Sequence, residues 1–143
     1  MIDMKHDIIY SKIQPSMLIG IVFRSDGFKK EKRIDIAPPN EFLQCSALEL
    51  EEGKTFRPHK HINIEKTTNV AQECWVVVEG LVRVVWYDMD DQPFEERILE
   101  PGDMAMTFRG GHNYTILEDE TRVYEFKTGP YWGAENDKVF IDD

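Results

Sequence analysis

The sequence predicts an all-β protein, a sandwich or barrel of short antiparallel strands. Three observations point there. Apolar residues recur with period two over windows of about 4–8 residues, the spacing of a strand with one buried face. Valine, isoleucine and aromatic residues dominate those windows, as suits a pleated, half-buried surface. Glycine, proline and acidic turn signals separate them every 8–12 residues or so, roughly the rhythm of a sandwich or barrel.

The first expected strand is Met17–Phe23. The basic run 29-KKEKR-33 and 38-PPN-40 follow as a hairpin or loop, and Phe42–Leu50 reads as the next strand, closed by 51-EEG-53. Cys74–Val78 and Leu81–Tyr87 flank the turn 79-EG-80. The turn 88-DMDD-91 leads to Phe94–Leu99, and 100-EPGD-103 leads to Met104–Phe108. Then 110-GG-111 precedes Tyr114–Leu117, and 118-EDE-120 precedes Arg122–Phe126. A short helix is expected at 133–137. With no internal repeat or linker, the 143 residues read as one domain, 1–143. Within it, strands from 17–50 would complete the barrel or form an edge for a dimer, since an exposed edge needs covering.

A net charge of −10 repels phosphate backbones, and no basic stripe offsets it, so nucleic acid is not an expected partner. The acid in 88-DMDDQ-92 and 118-EDE-120 reads as a solvated surface. No window approaches the roughly 18 apolar residues of a membrane helix. The start, MIDMKHDIIY, has no apolar leader core, so a cytoplasmic location is expected. Cys45 and Cys74 are then expected as buried thiols rather than a disulfide.

The segment 57-RPHKHINIEK-66 holds two of the four histidines. On a strand, residues i and i+2 share a face, so His59 and His61 would project together. Two neutral imidazoles converging this way suit a divalent metal, and equally often such a pair is surface decoration. Further segments add context: Gly53 ahead of His59, Glu73 opening 73-ECWVVVEG-80, and His112 closing 102-GDMAMTFRGGH-112.

Taken in order, these segments resemble the two sequence motifs of the cupin superfamily, from about Glu51 to Ile116. Two glutamates compete within the first motif. Glu65 has the expected spacing from His61, and Glu73 has it from Gly80. Glu73 is preferred because it opens a strongly apolar strand, with Trp75 and Val77 on its face and Cys74, Val76 and Val78 on the other. Glu65 sits in 62-INIEKTTNVAQ-72, a polar stretch that reads as an enlarged loop. The second motif departs from the family pattern at Phe108, Arg109 and Ile116, while His112 keeps its place. The tail 110-GGHNYTILEDETRVYEFKTGP-130, with Tyr131 and 137-DKVFI-141, is similar to small single-domain bacterial cupins linked to surface-polysaccharide genes.

The resemblance implies a cupin-type double-stranded β-helix, a jelly-roll barrel, and a homodimer. It implies a divalent transition metal (Fe, Mn, Ni, Zn or Co) held by His59, His61, Glu73 and His112, with positions open for water or substrate. Trp75, Met106, Phe108 and Tyr114 would line the site, or else pack the core. Glu125, alternating with Tyr124 and Phe126, would have an apolar flank and act as a partner of a ligand imidazole, a general base, or half of an ion pair. Arg57 and Arg109 would bind an anionic group bidentately, or pair with surface acids. The expected function is metal-assisted isomerase or epimerase chemistry on a small polar metabolite such as a sugar. An iron dioxygenase, a non-catalytic small-ligand binder and a dimer with a residual site are the alternatives.

Overall fold

The computed structural model describes residues 6–142. The first five residues, part of the stretch read for a leader, and Asp143 lie outside it. All strand pairings between the described strands are antiparallel. The strands are β1 (His6–Tyr10), β2 (Leu18–Phe23), β3 (Arg33–Asp35), β4 (Ser46–Leu48), β5 (Glu73–Glu79), β6 (Val82–Tyr87), β7 (Pro93–Leu99), β8 (Met104–Thr107), β9 (Gly111–Ile116) and β10 (Arg122–Lys127). They form a five-stranded sheet, β1-β2-β8-β5-β10, a three-stranded sheet, β7-β6-β9, and the pair β3-β4. A 3-10 turn at Ala134–Asn136 replaces the expected short helix. No helix among the described residues is long and apolar enough to cross a membrane.

The two larger sheets pack face to face. Val22, Val77 and Ala105 from one meet Val84 and Trp86 from the other in a shared buried cluster. A second cluster lies on the opposite side of the five-stranded sheet, built on Phe23, Cys74, Met106 and Phe108 and joined by Ile36 and Ala47. Thus β5 alternates as its sequence predicts, with Val77 and Trp75 toward the second sheet and Cys74 and Val76 away from it.

In β2 the alternation breaks. Ile9 pairs with Gly20 and Tyr10 with Leu18, so Ile19 is an extra residue in a bulge. The bulge sends Leu18 and Ile21 to one core and Ile19 and Val22 to the other. Gly20 is needed beside it: a Cβ there would come within 2.6 Å of the Trp86 Nε1 and 2.9 Å of the Met106 carbonyl.

Three expectations change. The N-terminal strand is not an edge, because β1, which the sequence did not announce, pairs with β2 on one side while β8 pairs on the other. The stretch Phe42–Leu50 yields only β4, because its partner is the three-residue β3. The basic run, expected with 38-PPN-40 as a hairpin or loop, leads into that pair: Lys30 bridges to Glu49 and Arg33 opens β3. The loop 88–92 is not wholly solvated. Asp88 is buried and accepts hydrogen bonds from the Ser11 hydroxyl at 2.5 Å and from the backbone N–H groups of Lys12 and Met89 at 2.8 Å each.

The largest difference lies between β4 and β5. Residues 49–71 are exposed throughout and form no strand. This arm re-enters the fold at Gln72, whose N–H donates to Thr128 Oγ1 at 3.1 Å and whose side chain accepts from the Leu43 N–H at 2.8 Å.

Candidate functional site

Glu73 opens β5, and His112 lies on β9 of the facing sheet. His112 Nε2 and Glu73 Oε1 are 2.9 Å apart, with both side chains largely shielded from solvent. With Nε2–H donating to the carboxylate, Nδ1 remains available to a ligand. The next inward residues repeat the contact between sheets. Trp75 and Tyr114 stack with centroids 3.8 Å apart and planes at 4°. His112 meets Tyr114 edge to face at 5.5 Å. The sequence sets this up, because two-residue steps along β5 and β9 place Glu73 with Trp75 and His112 with Tyr114.

Beside β5 runs β10, with Glu125 opposite Trp75 and Lys127 opposite Glu73. From that position Glu125 flanks the Glu73 carboxylate on the neighbouring strand, and Lys127 Nζ approaches Glu125 at 3.8 Å. Burial acts to raise the Glu73 carboxyl, but His112, through its hydrogen bond and charge, overcomes it; with help from Glu125 and Lys138 the group is held below the usual carboxylate range. Burial pushes the Tyr114 phenol well above its ordinary value, reinforced by the charge of Glu73. Among the described residues, the Tyr114 hydroxyl and the Trp75 Nε1 are buried without a hydrogen-bond partner. Two orphaned donors beside a carboxylate–imidazole pair mark where a polar ligand or water would be welcome.

The remaining candidates are elsewhere. His59 and His61 lie on the exposed arm, ring centroids 5.7 Å apart, and His59 Nδ1 lies 3.0 Å from the Arg57 carbonyl. They are not on a strand, so the shared-face argument does not operate within the chain as folded. Arg57 and Glu65 are exposed on the same arm. Phe108 and Met106 are fully buried in the cluster on the far face of the sheet from Glu73, so they pack the core and do not line the site. The flank of Glu125 is open, since Tyr124 and Phe126 are exposed. Arg109 is occupied by Glu41, which it grips with two bonds of 2.8 and 3.0 Å. Two surface clefts, of about 420 and 710 Å³, adjoin that pair, and neither includes Glu73 or His112.

Among the described residues, no group of three or more His, Cys, Asp or Glu side chains is placed to hold a metal ion. Two useful residues escaped sequence reasoning. Lys127 could have been found, because it lies two positions after Glu125 and shares its face. Glu41 could not, because nothing in its loop points to a partner 68 residues away. Comparison of the chain with protein-family models, curated proteins and solved structures gave no match.

Proposed function

We propose that the protein is a cupin-type enzyme that moves a proton on a small polar metabolite, such as a sugar or sugar derivative, at Glu73, His112 and Glu125. One observation carries this reading: the 2.9 Å Glu73–His112 contact joins two facing sheets beside a further carboxylate. A base oriented by a third group is the usual arrangement for activated proton transfer. Glu73, held ionised, is the orienting group, because a lowered pKa makes it a poor base and a good acceptor. His112 presents Nδ1 to the substrate, and imidazole is the common proton shuttle near neutrality. Glu125, nearer to solvent, is the second proton carrier and exchanges with water. Isomerase or epimerase chemistry needs this pair: one group removes a proton beside a carbonyl and the other returns one.

The test is deuterium incorporation from D₂O into a panel of small sugars and hydroxy-carbonyl compounds, followed by NMR. Exchange that falls about 10²–10⁴-fold in Glu125→Gln and in His112→Asn is the expected result, the range for losing a general acid or base. Ligand binding with no exchange in the wild type would instead establish the non-catalytic binder.

Metal binding is the second reading, favoured by the His59–His61 pair. As folded, the donors do not fit a metal centre, since Glu73 and His112 bond each other while the histidine pair stands apart. Iron, manganese, nickel, zinc or cobalt at His59, His61, Glu73 and His112 therefore requires the arm to close on the sheets. Elemental analysis of wild type and His61→Ala decides: metal lost in the variant supports this reading, and equal occupancy removes it.

A further inference from the structure

The chain that follows β10 returns across the Glu73–His112 pair. It leaves β10 at Lys127, which stands opposite Glu73 in the register of the two strands. It comes back against β9, where a Cβ on Gly111, the residue before His112, would run into the Ile141 side chain. The tail is therefore anchored beside each member of the pair, and residues 128–141 span the space between the anchors. Two contacts shape that span. Lys127 Nζ lies 3.9 Å from the centroid of the Tyr131 ring, and Asn136 Nδ2 donates to the Trp132 carbonyl at 3.0 Å.

Lys138 sits between these anchors, and its charge reaches Glu73. The other cationic groups at the site are committed. His112 is held by Glu73 at 2.9 Å, and Lys127 by Glu125 at 3.8 Å and by the Tyr131 ring. Lys138 is exposed and, among the described residues, joins no ion pair. An ammonium carried over reactive groups, with no carboxylate in ion-pair contact, is open to an anion, as a compact charge with three donors. A chain of net charge −10 repels small anions in general, so a local cation decides whether one settles at this site.

We infer that the tail forms one wall of the site and that Lys138 binds an anionic group of the substrate, a carboxylate or phosphate on a small sugar. This narrows the polar metabolite of the proposed function to an acidic sugar, and it rests on that reading for the place of the reacting groups. The ammonium takes no part in the proton transfer. It holds one end of the substrate while His112 and Glu125 act on the other. Val139 and Phe140 beside it are 90% and 86% exposed, so a substitution at 138 leaves the core untouched.

Titration of the whole ¹⁵N-labelled chain with glucuronate, glucose 6-phosphate and glucose, followed by NMR, tests this. The expected result is that at least one of the two anions binds more tightly than glucose and shifts the His112 signals. Lys138→Ala should weaken that binding about 10–100-fold, the scale of losing a hydrogen bond to a charged group, and leave glucose and the melting temperature unchanged. Lys138→Arg should recover the anion binding, which a merely structural role for the side chain would not require. The tighter of the two anions identifies the group as carboxylate or phosphate. Equal affinity for all three sugars, no binding of either anion, or unchanged anion affinity in Lys138→Ala overturns the assignment. Deuterium exchange on the same samples separates the two ideas. Lys138-dependent anion binding without exchange sustains the assignment and sinks the proton-transfer reading, and exchange into glucose that ignores Lys138, with no anion preference, does the opposite.

Discussion

Glu73 and His112 meet at 2.9 Å across the gap between two sheets, although 39 residues separate them in sequence. Neither strand alone explains the low position of the Glu73 carboxyl. Burial pushes it up, and His112 outweighs burial. Replacement of His112 by Asn should therefore move the Glu73 titration upward, because burial stays and the cationic partner goes. Carboxyl ¹³C NMR over a pH series reads this directly. An unchanged midpoint would mean that the imidazole does not set it.

The Arg109–Glu41 pair should act as a structural clamp and not as a substrate anchor. Glu41 also accepts from Gln72 Nε2 at 2.9 Å, so it ties the second motif to the return point of the arm. Burial raises its carboxyl, but Arg109 and Gln72 hold it below its ordinary value. A carboxyl lowered by folding stabilises fully above its unfolded pKa, and that contribution fades as pH falls through the lowered folded value. Urea titrations should show Glu41→Gln costing about 1–3 kcal/mol at neutral pH, the scale of hydrogen bonds to a charged group. The difference from wild type should shrink in acid below the ordinary glutamate range.

Gly20 should be intolerant of the smallest enlargement. A methyl group there runs into Trp86, whose Nε1 donates to Thr107 Oγ1 at 3.1 Å in the buried centre. Gly20→Ala should destabilise by about 1–3 kcal/mol, the usual cost of overpacking a filled core. A thermal melt equal to wild type would show that the bulge relaxes to admit the methyl.

Both thiols should be inert in the folded protein. Burial pushes the Cys74 thiol up to about 12, with Cys45 and Glu73 adding to the effect, and burial also raises Cys45. Since the thiolate is the reactive species, neither should react with a disulfide reagent at pH 8 until denaturant is added. Rapid modification of the native protein would contradict the burial.

Much of this architecture was legible in the chain. The period-two runs marked β5 to β10, because a half-buried strand must alternate and its turns need glycine or acidic polar residues. That alternation also set Glu73 beside Trp75, His112 beside Tyr114, and Glu125 away from Tyr124 and Phe126. The pairing of strands was not legible. The placement of β1 as the edge, the bulge at Ile19, the return of Glu41 to Arg109, and the burial of Phe108 behind the sheet each depend on contacts between distant segments. Local pattern carries no term for such contacts.

The sequence by itself determined which side chains share a face, because backbone geometry fixes that within each strand. Only the tertiary structure decided which faces meet. It brought Glu73 to His112 by packing one sheet on the other, and it left His59 and His61 on an exposed arm that forms no strand. The physical reason is one of range: alternation is set by neighbouring peptide units, whereas convergence on a site is set by burial summed over the whole core.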